Sequence, residues 1–99
     1  MIKIKRKKDG ISIKGHANYA PHGQDIVCAS VSVLVQTLIQ SIEELTADRI
    51  EYSMQPGKVK IKYWSLSDET KALISSFFIG AENIAAQYPD YVTVINEAD

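Results

Sequence analysis

Residues 25–45, DIVCASVSVLVQTLIQSIEEL, contain the longest uncharged stretch of the chain and decide its fold. Asp25 is a good N-cap because its carboxylate can accept the free amides of a first helical turn. Val33, Val35 and Ile39 predict a helix that is covered on more than one side. Its main apolar face recurs every three or four positions: Val27, Val31, Leu34, Leu38, Ile42 and Leu45.

Strand patterns lie on both sides of this helix. Asp9–Gly10 is typical of a two-residue type I′ hairpin turn, and Pro56–Gly57 of a second turn. Alternating apolar and polar residues, or β-rich composition, predict five strands around these turns: residues 2–7, 11–14, 50–54, 59–63 and 91–95.

A second helix is predicted over residues 67–87, capped by Ser65 or Ser67. Gly80 within it costs roughly 1 kcal/mol relative to Ala, which predicts close packing against a neighbour. Residues 96–99 are predicted to be a frayed tail. The order ββαββαβ predicts an α+β fold, a mostly antiparallel sheet of about five strands with two helices on one face.

Composition limits the classes of function. The 99 residues predict a single domain over 1–99, and a net charge of -1 gives the whole molecule no strong bias toward nucleic acid or anionic membrane. One cysteine excludes an internal disulfide, and the N-terminus lacks the apolar core of a secretory signal. The uncharged run 26–42 is slightly too short to span a bilayer. We therefore expect a cytoplasmic protein.

Cofactor chemistry has little support in the sequence. One cysteine and two histidines without regular ligand spacing make a weak case for zinc. The sequence has no phosphate-binding loop and no dinucleotide fingerprint. We predict neither a metal nor a cofactor.

Cys28 is the candidate nucleophile. A lone cysteine in an apolar helix is more often a small buried side chain. Three features favour chemistry instead. Cys28 is the third helical residue, where first-turn amides and the helix dipole lower a thiol pKa. Asp25, Cys28 and Ser32 share one stripe of the helix. His16 closes a strand, and the loop that follows is long enough to return the chain to Cys28.

The segment Gly15-His16-Ala17, followed by Gly23-x-Asp25-Ile26-Val27-Cys28-Ala29, closely resembles the signature of the Prp family of ribosomal-processing cysteine proteases, and the likeness extends over the whole chain. The resemblance implies a cytoplasmic, homodimeric bacterial endopeptidase. It would remove the N-terminal extension of large-subunit ribosomal protein twenty-seven, cutting after a pair of aromatic residues. It also implies that Cys28 is the nucleophile and His16 the base, with Gly15, Asp25 and Ser32 in supporting positions.

Several roles near this site stay open. His22, in the loop 17–24, is an alternative base or a substrate contact, although His16 is the motif match and a solvated loop histidine is the simpler interpretation. Gly23 suits a lid that closes on the substrate, against a static surface loop. Asp25 caps the helix only or also orients His16, and the cap needs no further geometry. Backbone amides at the helix start, including that of Cys28, are the candidate oxyanion donors.

Basic residues cluster at 3–8 and 58–62. The simpler interpretation is a solvated sheet face with edge lysines that block aggregation. The alternative is attraction to ribosomal RNA or to an acidic partner. Two further functions follow: a non-catalytic ribosome- or RNA-associated binding module with Cys28 buried, or a dimeric scaffold whose exposed helix face mediates assembly.

Overall fold

Seven elements follow one another along residues 1–97, the part of the chain that the structure, a computed structural model, describes. The predicted order ββαββαβ is confirmed, with every boundary within two residues of its predicted position. Asn96 and Glu97 extend the last strand rather than starting a tail, and 98–99 lie outside the described residues. The elements are β1 Ile2–Lys7, β2 Gly10–Lys14, α1 Ile26–Leu45, β3 Glu51–Gln55, β4 Lys58–Lys62, α2 Asp68–Gln87 and β5 Val92–Glu97.

The strands form one sheet in the order β3-β4-β2-β1-β5. All neighbours are antiparallel except β1 and β5, which run parallel. The mostly antiparallel α+β fold with both helices on one face is therefore confirmed. Ile4 lies opposite Ile13, and Ile11 lies opposite Ile61, so period-two alternation gives the sheet one apolar face. That face and the helices enclose the core.

Helix α1 starts where its cap predicts and packs along one stripe. By length and composition it could cross a membrane, but one side of it belongs to the core. Val33 and Leu45, predicted on the covered faces, are instead 62% and 69% exposed. Val33 lies two residues from both Val31 and Val35, so helical geometry turns it away from them. The buried stripe is Val27, Val31, Val35, Leu38, Ile39 and Ile42.

Of the three predictions that involve a glycine, one is wrong and two are confirmed. In the first hairpin, Lys7 pairs with Gly10, so Lys8 and Asp9 form the turn and the predicted Asp9–Gly10 type I′ turn is wrong. Gly10 is needed in β2 because a Cβ there would overlap the Ile61 carbonyl oxygen. Gly57 has φ +72° in the predicted second turn. A Cβ on Gly80 would lie 3.0 Å from the Leu34 side chain, so close packing is confirmed.

The lysines do not lie where edge protection requires them. The two edge strands, β3 and β5, contain neither lysine nor arginine. Lysines occur instead on β1, β2 and β4, the three interior strands. The interpretation that they block edge pairing is therefore wrong, because strand order is set by pairing across the whole chain.

Candidate active site

Cys28 lies in the first turn of α1 and is partly exposed. The Ala17 N–H, just after β2, donates to Cys28 Sγ over 3.5 Å. The strand end and the helix start therefore meet, as the length of the loop predicts.

His16 is held from two sides of the sheet. Its carbonyl accepts from the Met1 backbone nitrogen over 2.8 Å, and the Gly15 N–H donates to the Gly57 carbonyl over 2.9 Å. The imidazole lies over the β3–β4 turn, where a Cβ on Gly57 would be 2.5 Å from His16 Nε2. Sequence reasoning identified this turn but not its contact with the histidine.

Two cavities open beside Cys28. The first, of about 450 Å³, lies between the loop and the start of α1, and Gly23 and Asp25 line it. The second, of about 380 Å³, extends toward β3 and β4, and Gly15 lines it. Together they bring all seven predicted site residues to one region. The side chains common to both cavities are His16, His22, Cys28 and Ser32.

The thiol and the imidazoles share this space without touching. Within residues 1–97, no hydrogen bond joins Cys28 Sγ to His16 or His22. The histidines therefore face a common opening rather than a closed pair. General bases in unliganded enzymes commonly show long contacts that shorten when substrate binds.

Asp25 joins the helix to the loop. Its Oδ1 accepts from the Val27 and Cys28 amides, and its Oδ2 accepts from the Tyr19 amide, each over 3.0 Å. These hydrogen bonds hold the pKa of the Asp25 carboxyl below its usual value, and the bond from the Cys28 N–H has the largest effect. Of the two open roles the structure shows the cap, and no described contact links Asp25 to His16.

This cap changes the expectation for the oxyanion donors. Because the Cys28 N–H already donates to Asp25, it is not free to bind an oxyanion in this conformation. The sequence placed that amide at the right point of the helix. It did not show that the capping carboxylate engages it.

The loop 17–24 is anchored at one end and open in the middle. The Tyr19 ring packs edge-on against Tyr88 and Tyr91, at centroid distances of 5.4 and 5.1 Å. Gly23 has φ +87° and nothing within 4 Å of a built Cβ. Gly23 therefore faces open space beside the first cavity, while the Gln24 N–H donates to the Pro21 carbonyl within the loop over 2.9 Å.

The second cavity is mostly apolar away from the thiol, although Gln55 and Lys58 also line it. Four strands and α1 supply its walls, so it suits an apolar side chain held next to Sγ. The apolar lining residues are Ile2, Ile13, Val31, Val35, Met54 and Val59. Among the described residues, no group of three or more His, Cys, Asp or Glu is placed to hold a metal ion.

The chain is similar throughout to one family of proteases. The model of the family described as "Cysteine protease Prp" matches residues 1–93. The ribosomal processing cysteine protease Prp of Mycoplasma genitalium is 30% identical over 98% of this chain and 96% of its own length. The Prp of Staphylococcus aureus is 26% identical over 87% of this chain and 84% of its own length.

A solved structure shows the same fold. The crystal structure of a ribosomal processing protease Prp from Staphylococcus aureus, in complex with a covalently linked product peptide, superposes with a TM-score of 0.94. The superposition covers 98% of this chain and 100% of the crystallised chain, and the two sequences are 21% identical. Because the family model matches residues 1–93 of its 99, this chain belongs to the Prp family of cysteine proteases.

Proposed function

We propose that the protein is an endopeptidase that removes the N-terminal extension of large-subunit ribosomal protein twenty-seven, with Cys28 as nucleophile and His16 as general base. The observation that carries the proposal is the shared space: the thiol and the imidazole line the same two cavities, inside the segment that resembles the family signature. A cysteine hydrolase requires at least a thiol as nucleophile and an imidazole as base. No cofactor is needed.

The reaction proceeds through an acyl-enzyme. His16 takes the thiol proton, and Cys28 Sγ attacks the scissile carbonyl carbon. The protonated imidazole then gives its proton to the leaving amine as the C–N bond breaks. Water, deprotonated by His16, hydrolyses the thioester and frees the thiol. The Ala17 N–H donates to Sγ, and Ser32 supplies a hydroxyl on the rim of both cavities.

The second cavity is the proposed seat for an aromatic side chain of the substrate. Its walls are mostly apolar and Cys28 is one of its lining residues, so a side chain bound there brings its own carbonyl near Sγ. Related Staphylococcus aureus proteases have been crystallised with a covalently linked product peptide and with a substrate peptide, which fits a covalent route through cysteine.

We further propose that the protein works in the cytoplasm as a homodimer. Val33 on α1 and Ile79 on α2 are 62% and 65% exposed, which gives the helical layer apolar surface to cover. Light scattering after size exclusion measures the mass directly. A monomer at micromolar concentration would contradict the dimer without affecting the catalytic proposal.

The experiment that tests the function uses a peptide carrying the ribosomal extension. Cys28→Ala should reduce turnover on the order of 10⁶-fold, below detection, while peptide binding and thermal unfolding stay unchanged. Cys28→Ser is the matched variant, since it keeps a polar atom of similar shape. Retained cleavage in either variant would contradict Cys28 as the nucleophile, whereas no cleavage by the wild-type protein would favour the non-catalytic binding module.

A second readout tests the state of the sulfur. A nucleophilic Cys28 should be alkylated rapidly in the folded protein, because its side chain is partly exposed beside both cavities. Alkylation only after unfolding would indicate a buried structural thiol. This measurement needs no substrate, so it separates a wrong nucleophile from a wrong peptide.

A further inference from the structure

The sheet face opposite the helices carries most of the positive charge of the molecule. Residues paired across neighbouring strands point to the same side, so the register assigns seven lysines to this face. They are seven of the eleven basic residues of the chain. This lysine face consists of Lys3, Lys5, Lys7, Lys14, Lys58, Lys60 and Lys62.

The lysines are neighbours across the strands. Lys3 lies opposite Lys14, and Lys14 lies opposite Lys58. Repulsion from Lys60, and then from Lys58, lowers the pKa of Lys14 below its usual value. Within residues 1–97 the only ion pair is Lys5 with Glu97, at 3.9 Å. Two glutamates share the face, Glu51 opposite Lys62 and Glu97 opposite Lys7, so seven lysines against two carboxylates leave it with an excess of positive charge.

Neither simple explanation accounts for this pattern. The edge strands β3 and β5 carry no lysine, so the charges do not protect edges. A face that only meets water needs polar residues of either sign, whereas like charges directly opposite one another destabilise a sheet. The arrangement lowers stability and produces a strong local field.

The face also has a depression. A cavity of about 520 Å³ lies on it, with Gly10 and Ser12 in its lining. Lys7, Lys60 and Lys62 also line it, together with the acidic residues Asp9 and Glu51. Because Gly10 has no side chain and Ser12 a short one, the centre is low and the lysines stand around it.

We propose that the lysine face binds the phosphate backbone of RNA without reading its sequence. Protein–protein interfaces are depleted in lysine, whereas nucleic-acid interfaces are strongly positive, so the composition favours nucleic acid over an acidic protein. Lysines in rows contact phosphates rather than base edges, which makes binding sequence-independent. The choice of RNA over DNA rests on the proposed ribosomal function. The proposal that the face binds phosphates is independent of that function.

The test measures binding of a labelled single-stranded oligouridine by fluorescence anisotropy at several salt concentrations. Lys14→Gln with Lys60→Gln removes two central charges and should lower the slope of log K against log salt by about 1.4, since each phosphate contact on a single strand contributes about 0.7. Arg49→Gln with Lys71→Gln is the matched control. It removes equal charge elsewhere and should leave the slope unchanged.

Four results would overturn the proposal. They are no binding by the wild-type protein, an equal loss of slope in both double variants, preferential binding of polyglutamate, and a preference for particular RNA sequences. Equal binding of a single-stranded DNA oligomer of the same length would overturn the choice of RNA.

The proposal can fail separately from the peptidase. Neither Lys14 nor Lys60 lines the two cavities beside Cys28, so the double variant should cleave the free extension peptide at the wild-type rate. If the wild-type protein cleaves the peptide but does not bind RNA, only the proposed role of the lysine face is contradicted. RNA binding without cleavage would contradict the proposed function alone.

Discussion

The candidate site has two walls that differ in how they are held. The fixed wall is His16 with the Pro56–Gly57 turn beneath it, where backbone hydrogen bonds tie strands from both sides. The loop wall is residues 20–24, which includes His22 and Gly23. Gly57 is in contact with an imidazole, whereas Gly23 faces open space. Cys28 lies between the two walls.

This difference indicates that the two walls have different roles. A general base must be held within about 0.5 Å of its productive position, which requires a rigid support. A peptide must also enter and leave, which requires a wall that moves. The fixed wall suits catalysis, and the loop wall suits substrate binding.

Among the changes that compare the two walls, exchanging each histidine for alanine has the largest expected effect. His16→Ala should lower kcat by about 10²- to 10⁴-fold, the usual contribution of a general base, with little change in KM. His22→Ala should leave kcat near the wild-type value and change KM instead. Steady-state cleavage of the extension peptide measures both. Full activity in His16→Ala with loss in His22→Ala would reverse the roles of the two walls.

The two glycines give a narrower comparison of the same walls. Gly57→Ala and Gly23→Ala both place a side chain in the left-handed region, so each should destabilise by about 1–2 kcal/mol in urea unfolding. Only Gly57→Ala also pushes against His16 Nε2. Misplacing a catalytic group by ~1 Å can cost about 10²-fold in rate, so kcat should fall in Gly57→Ala alone. Equal kcat values in the two variants would show that the turn does not position the base.

The elements were predictable because their signals are local. Alternation in β1, the spacing of α1 and the Asp25 cap all depend on residues a few positions apart. The same cap also determines that the Cys28 amide is engaged, and this consequence was missed because it depends on which oxygen accepts which N–H.

The rest depends on contacts between distant parts of the chain. Gly57 supports His16 from 41 positions away in the sequence, and no local pattern indicates that contact. Alternation in β4 predicted that one face of the strand is exposed to solvent. It could not predict that β4 is an interior strand of the sheet, because strand order follows from pairing over the whole sheet. The lysines were therefore interpreted as edge residues.

The smallest expected effect concerns Asp25, which joins the two walls. Asp25→Asn keeps one oxygen acceptor for the helix amides but cannot also accept from Tyr19, because its second group is a donor. Amide exchange at Tyr19 should become faster, while the start of α1 stays protected. Asp48→Asn is the matched control, since Asp48 also has a lowered pKa, caused by hydrogen bonds from Ser67 and Thr70, but does not contact the loop.

The pH dependence of stability completes this test. The lowered pKa of Asp25 stabilises the folded state above the unfolded pKa of about 3.9, and that contribution is lost as pH falls through the lower folded value. The Tm of Asp25→Asn should thus lie below wild type at neutral pH and converge with it in acid. Asp48→Asn should show the same convergence without faster exchange at Tyr19. Equal exchange at Tyr19 in both variants would mean that Asp25 does not tie the loop to the helix.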